Sequence, residues 1–114
     1  MRVYDLPEDC QCYRHLNGMH HEIHTIYGVH LKGLKGYSHH PETIRWQGRL
    51  WALRLKHDRV VTELQRRWPD YQHRSPLTLV FDCAEYPPRI NSLEEQITDL
   101  VDKGCGCILY NIRR

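Results

Sequence analysis

The first twenty-four residues, MRVYDLPEDCQCYRHLNGMHHEIH, carry the two kinds of group that an amine-based lyase needs. A chain-terminal α-amine titrates at about 7.7–8.0, so a good part of it is an uncharged nucleophile near neutrality, whereas a lysine, near 10.4, must first be desolvated. Glu22 is the single carboxylate between Tyr13 and His24, where it stands among four histidines and one arginine. An amine can attack the anomeric carbon of a deoxyribose, expel the base and form an imine. The imine acidifies the neighbouring sugar proton, and β-elimination then breaks the chain. A carboxylate nearby stabilises the developing oxocarbenium charge or moves protons. Arg2 is too large for removal of the initiator methionine, so Met1 is the expected nucleophile and Glu22 its partner. The plainer structural reading of the same residues is a surface glutamate and a frayed chain end.

These groups must be positioned by helices. Asp5-Leu6-Pro7-Glu8 has the composition of a helix start: a capping aspartate, a first-turn proline and an acid at the positive end of the dipole. Cys12, Leu16, Met19, Ile23, Ile26, Tyr27 and His30 then recur at spacings of three and four and define one apolar face. Gly18 and Gly28 weaken that helix. Lys32 to Tyr37, KGLKGY, predicts a loop.

A second helix is predicted from Pro41 to Trp68, stopped by Pro69, with a bend expected in so long an element. Its predicted apolar face is Ile44, Trp51, Leu55, Val61, Leu64 and Trp68. It holds seven arginines and lysines (Arg45, Arg49, Arg54, Lys56, Arg59, Arg66, Arg67) against three acids. Interleaved with Trp46, Trp51 and Trp68, these suit phosphate contacts and stacking surfaces, or else a solvated face whose long stems cover the core. Residues 70–91 are irregular, with Leu77 to Phe81 as a candidate short strand. Ser92 and Glu95 form a capping box that opens a last helix running to about Lys103. The expectation is an all-α, compact single domain spanning residues 1–114, with three main helices and a loop-rich third quarter.

Composition sets the outer limits. The chain has 114 residues, 40% hydrophobic and 26% charged, which suits one globular domain. A formal charge of +2 does not by itself demand a polyanionic partner, although nine histidines can add charge below neutrality. No stretch is long and apolar enough to predict a membrane span, and the polar start predicts no signal peptide. Five cysteines cannot all pair internally, so reduced thiols and a cytoplasmic setting are expected. His20 and His24, four apart, can chelate a metal, but the H-E-x-x-H pattern is absent and surface or phosphate-facing histidines are the expectation. Cys10-x-Cys12 and Cys105-x-Cys107 could hold zinc if the chain ends meet; buried free thiols are the default. No metal or other cofactor is expected.

The chain resembles the phage endonuclease V family of pyrimidine-dimer DNA glycosylases, in a short bacterial-type branch. The resemblance rests on Met1-Arg2, on His15-Leu16, and on Glu22-Ile23 seven residues after that histidine. GYSHHPETIRWQGRL, LRLKHD, HRSPL at His73 to Leu77, and EEQITDLVDKGCGC extend it over nearly the whole chain. It implies a compact all-helical fold with the N-terminal segment packed between the first two helices. It implies an N-terminal amine as imine-forming nucleophile and a helical catalytic glutamate, which fall on Met1 and Glu22. A basic residue beside the nucleophile falls on Arg2. The family's arginine before the glutamate is His21 here, and its arginine three residues after it is Thr25. The family's aromatic, basic tail has only Tyr110, Arg113 and Arg114 to stand for it.

The resulting expectation is a DNA repair glycosylase and abasic-site lyase, a monomer acting on double-stranded DNA with damaged bases, with no membrane association. Met1 and Glu22 do the chemistry, and Arg2, Arg14, His15, His21, Lys32, Lys35, Arg45 and Arg49 contact DNA. A glycosylase for another damaged or modified base, and a non-catalytic DNA-binding module, are the alternatives. Extrusion of the damaged nucleotide fits this chemistry, because a damaged pair costs less to unstack.

Overall fold

The computed structural model of the chain describes residues 3–33, 35–73 and 77–103. Among the described residues all regular structure is helical. A 3-10 turn, Glu8–Cys10, precedes helices α1 (Tyr13–Lys32), α2 (Pro41–Arg45), α3 (Leu50–Arg67) and α4 (Leu93–Asp102). No described helix is long and apolar enough to cross a membrane.

The first helix begins at Tyr13 rather than at Pro7. The cap-like residues before it make only the single 3-10 turn, which opens into extended backbone at Gln11. The reason is tertiary. Arg67 of α3 donates to the carbonyl oxygens of both Glu8 and Gln11, and Gln11 Nε2 donates to the Leu6 carbonyl at 3.1 Å. The turn's acceptors are therefore taken by α3 and not by a following helical turn. From Tyr13 the helix runs unbroken through Gly18 and Gly28. It buries Leu16, Met19, Ile23, Ile26 and Tyr27. Each such side chain contributes about 1.5–3 kcal/mol, more than the roughly 1 kcal/mol that a helical glycine costs. Gly33, at φ 66, ends it in the left-handed conformation that glycine adopts without penalty.

The long second helix is two helices. Trp46 leaves the α region, Gly48 takes φ 71, and α3 restarts at Leu50. Asp82, from the irregular segment, supplies the missing cap: its carboxylate accepts from Leu50 N at 2.9 Å and Trp51 N at 2.8 Å. The break absorbs Trp46 completely, with Nε1 donating to Glu42 at 3.0 Å. It also changes which face is buried. Leu50, Leu53, Val60 and Leu64 form the apolar stripe, together with the polar Lys56, His57 and Glu63. Of the face expected from sequence, Leu64 is buried, whereas Ile44, Leu55 and Trp68 are exposed.

Leu77 to Phe81 forms no strand, because no second extended segment pairs with it among the described residues. The segment is held instead by side chains: Tyr27 donates to the Thr78 carbonyl and Arg54 to that of Leu77. Ser92 and Glu95 make the capping box in both directions, at 3.1 and 3.2 Å. The core lies between α1 and α3 and takes in Val3, Tyr4 and Leu6 from the N-terminal segment and Leu100 from α4.

Candidate functional site

The residues of α1 divide around its core-facing stripe. At 3.6 residues per turn, His15 lies about 20° from Glu22 around the helix axis, while His20 and His24 each lie about 160° away. Glu22 is half-buried. Beside it runs an exposed line of Arg14, Gly18, His21, Thr25 and Lys32, with exposed Lys35 in the turn that follows. Gly18, one turn before Glu22, would meet nothing within 4 Å with a Cβ, so the surface there is open. The Thr25 hydroxyl turns back to the His21 carbonyl at 3.1 Å. The structure thus gathers Glu22, Arg14, His21 and Lys32 along one flank of one helix.

His15 stands on the same flank but is turned inward. Its Nδ1 is 3.2 Å from Cys12 Sγ, and the Tyr4 ring meets it edge-on at 5.8 Å. Burial, then the charges of Lys103 and Arg14, push its pKa below the usual histidine value. Met1 and Arg2 lie outside the described residues, as do Cys105, Cys107, Tyr110, Arg113 and Arg114.

Cations of the basic second helix engage partners within the protein. Lys56 is buried and pairs with Glu8 at 2.9 Å, and Arg59 reaches the same carboxylate at 3.4 Å. Burial pushes the Glu8 carboxyl up, but the two cations outweigh it and hold the group below its ordinary range. Arg67 pairs with Glu63 at 2.9 Å. Arg49, half-exposed, donates to the Glu85 carbonyl at 3.0 Å.

Arg45 is sealed, with its side chain 4% exposed between Asp5 and Glu42. That is an internal ion pair rather than a phosphate contact. Asp5 also accepts from Tyr86 and from Gln96 Nε2, and its backbone N–H donates to Gln96 Oε1 at 2.7 Å. The N-terminal segment is thereby tied to α2, α4 and the 86–88 loop four residues after the chain start. Removing one partner of a buried pair leaves an uncompensated charge, so Arg45→Ala is expected to destabilise the fold by about 3–5 kcal/mol. Urea unfolding followed by tryptophan fluorescence measures this; a loss within about 0.5 kcal/mol, as at an ordinary surface site, would contradict it.

The opposite flank of α1 holds a group that sequence reasoning did not assemble. His20 and His24 of α1, His57 of α3 and His73 of the following loop bring one ring nitrogen each to within 4.8 Å of all the others. Between their Nε2 atoms, His20–His57 and His24–His57 are 3.2 Å, His20–His24 and His24–His73 are 3.1 Å, and His57–His73 is 3.0 Å. His20 and His57 are buried, and His24 and His73 are half-buried. Burial, reinforced by the neighbouring imidazoles, pushes His20 down to about 3 and His24 to about 4, so both are neutral bases. The expectation of surface histidines at 20 and 24 is overturned for His20. The signal for the other two members was present in LRLKHD and HRSPL, but lone histidines 16 residues apart make no local motif.

The described residues thus form a small all-helical body with a half-buried carboxylate on α1, basic side chains beside it and a tethered N-terminal segment. The sequence profile of the pyrimidine dimer DNA glycosylases matches residues 1–79, and the chain belongs to that family. The match takes in Glu22, all of α1 to α3 and His73, and ends before α4. No curated protein and no solved structure matches the chain. The family acts on DNA, which makes this a DNA-repair glycosylase fold.

Proposed function

We propose that this protein excises pyrimidine dimers from double-stranded DNA and then cuts the strand as an abasic-site lyase. In this reading the α-amine of Met1 attacks C1′ of the damaged nucleotide and the N-glycosidic bond breaks, with its electron pair leaving on the base. Ring opening gives an imine, loss of the C2′ proton follows, and the C3′–O bond breaks by β-elimination. Glu22 stabilises the cationic sugar and handles the protons. Arg14, His21, Lys32 and Lys35 hold phosphates on the open flank, with Arg2 beside the nucleophile.

The observation that carries this reading is the family match over residues 1–79, which contains both the chain start and Glu22. Geometry supports it through Tyr4. The Tyr4 ring rests on His15, on the Glu22 flank of α1. Glu22 is seven residues further along, about 10 Å at 1.5 Å per residue. Three residues can span at most roughly 10 Å. The amine therefore has the reach to meet the carboxylate. His15 and Arg45, both drawn inward, act as positioning residues in this account, and Arg49 is committed to the Glu85 carbonyl.

The test is strand nicking of matched duplexes carrying a single cyclobutane dimer, an abasic site or neither. The expected result is cleavage of the first two, with undamaged duplex at least about 10³-fold slower, the lower end of the range for specific over non-specific DNA recognition. Cleavage of abasic duplex alone would leave a lyase whose base substrate is something other than a dimer. That outcome has a structural motive in His21 and Thr25, which stand where the family carries arginines.

A further inference from the structure

We propose that His20, His24, His57 and His73 form a closed structural site for one divalent first-row transition ion, zinc by preference, that clamps α1, α3 and the 71–73 loop together. The site is separate from the Glu22 flank, and the inference does not depend on the proposed reaction.

The first argument is proton counting. Asp58 Oδ1 lies 3.0 Å from His57 Nδ1, and a carboxylate only accepts, so the His57 proton sits on Nδ1. The Tyr71 hydroxyl donates to Asn17 Oδ1 at 3.2 Å, so its oxygen accepts from His20 Nδ1 at 2.6 Å, and the His20 proton sits there too. The Nε2 atoms of His20 and His57 therefore face each other with lone pairs at 3.2 Å. His24 and His73 can each hold at most one proton on Nε2, and a proton serves one short contact well. The five contacts of 3.0–3.2 Å cannot all be hydrogen bonds. Lone pairs converging from four sides repel unless a cation sits among them.

The second argument is size. Zinc binds imidazole nitrogen at about 2.0–2.1 Å, and a regular tetrahedron with that radius has edges of about 3.3 Å. Five of the six nitrogen separations, at 3.0–3.2 Å, come within a few tenths of an ångström of that figure. The sixth, His20–His73, is longer but within 4.8 Å, so closing the tetrahedron needs only a small inward turn of these two rings. Four protein ligands leave no open position, which is the arrangement of a structural rather than a catalytic site. Imidazole without thiolate or thioether favours zinc over copper(I), and tetrahedral geometry disfavours copper(II) and nickel.

The third argument is the surrounding shell. Metal-bound histidines hand their second N–H to a carboxylate or another oxygen, which fixes the ring and its tautomer. Asp58 does this for His57, and Tyr71, itself held by Asn17, does it for His20. Asp58 also places a negative charge one ring away from the ion. The ligands come from two helices and a loop, so the ion would tie α1, α3 and the 71–73 loop to one another.

The experiment uses the full chain purified with a tag free of histidine. Elemental analysis is expected to find about one zinc per chain. Stripping with a chelator is expected to lower Tm, and zinc at about a hundredfold above Kd to restore about 10 °C. Cobalt(II) reconstitution is expected to give the strong visible bands of a tetrahedral site without the near-ultraviolet charge-transfer band that a thiolate ligand produces. His73→Gln is expected to weaken zinc binding by at least about tenfold, whereas Cys10→Ser with Cys12→Ser leaves it unchanged. If His73→Gln fails to fold, the cobalt spectrum of the unaltered chain decides. A thiolate band, zinc lost with the two cysteines, or no Tm response to zinc would each overturn the assignment.

Discussion

Protein whose α-amine is acetylated, or carried out of reach by an uncleaved N-terminal extension, is expected to lose strand cleavage by on the order of 10⁴-fold or more, the scale set by the effective molarity of a positioned nucleophile. Duplex binding should change by no more than about tenfold, since one lost cationic contact near phosphate is a small part of an electrostatic footprint. The asymmetry is the point of the experiment. In this account the amine is the bond-forming atom, whereas phosphate contacts are spread over Arg14, His21, Lys32 and Lys35. No other amine is poised to substitute. Lys56 is buried but consumed by Glu8, Lys103 donates to the Tyr4 hydroxyl at 2.7 Å and pairs with Asp99 at 3.2 Å, and Lys32 and Lys35 stand exposed on the flank assigned to phosphate. Gel-based nicking and fluorescence-polarisation binding on the same preparations separate the two effects. Equal loss of both would reduce the N-terminus to a binding element.

Glu22→Gln is the second large effect. The amide keeps the size and a hydrogen-bonding oxygen but removes the charge and the proton acceptor. Base release is expected to fall by about 10²–10⁴-fold, the range for a positioned acid–base group, with duplex affinity nearly unchanged. Glu22 is half-buried on a helix whose other face is packed on α3, so the substitution should leave the fold intact. Circular dichroism and Tm guard against the opposite. Activity retained within about twofold would take Glu22 out of the reaction. A loss confined to KM would make it a substrate-binding group, because transition-state roles lower kcat.

The sequence was informative where a local signal coincided with a tertiary one. The spacing from Leu16 through Tyr27 named the buried face of α1 correctly, because that helix packs along most of its length. The Ser92–Glu95 box located α4 because it is a self-contained exchange of two hydrogen bonds. The second helix misled because its interruption depends on remote partners. Asp82 caps α3 from 32 residues away, and Trp46 is buried in the break instead of on a helical stripe. A long basic run looked like a phosphate surface, yet Glu8, Asp5 and Glu63 take up Lys56, Arg45 and Arg67. None of those pairings except Glu63–Arg67 is local in sequence.

The site was read unevenly for the same reason. Glu22 enters as a candidate through the family resemblance carried by His15-Leu16 and Glu22-Ile23, and its exposed basic neighbours on α1 follow from helical geometry. The histidine cluster needed the fold. Only His20 and His24 are one turn apart, and His57 and His73 join them through the packing of α1 on α3 and the return of the chain past Tyr71. Polar residues at 56, 57 and 63 on the inner face of α3 also blurred the apolar periodicity that would have placed that helix correctly. The residues that hid the helix register are the ones that carry its ion pairs and its share of the histidine cluster.

The most direct measurement is reductive trapping. The full chain is incubated with a dimer-containing or abasic duplex in the presence of borohydride, and the covalent product is digested and mapped by mass spectrometry. The account predicts a single DNA adduct on the peptide that begins at Met1, absent when the amine is blocked. An adduct on an internal lysine, or strand cleavage with no trappable adduct, would contradict it.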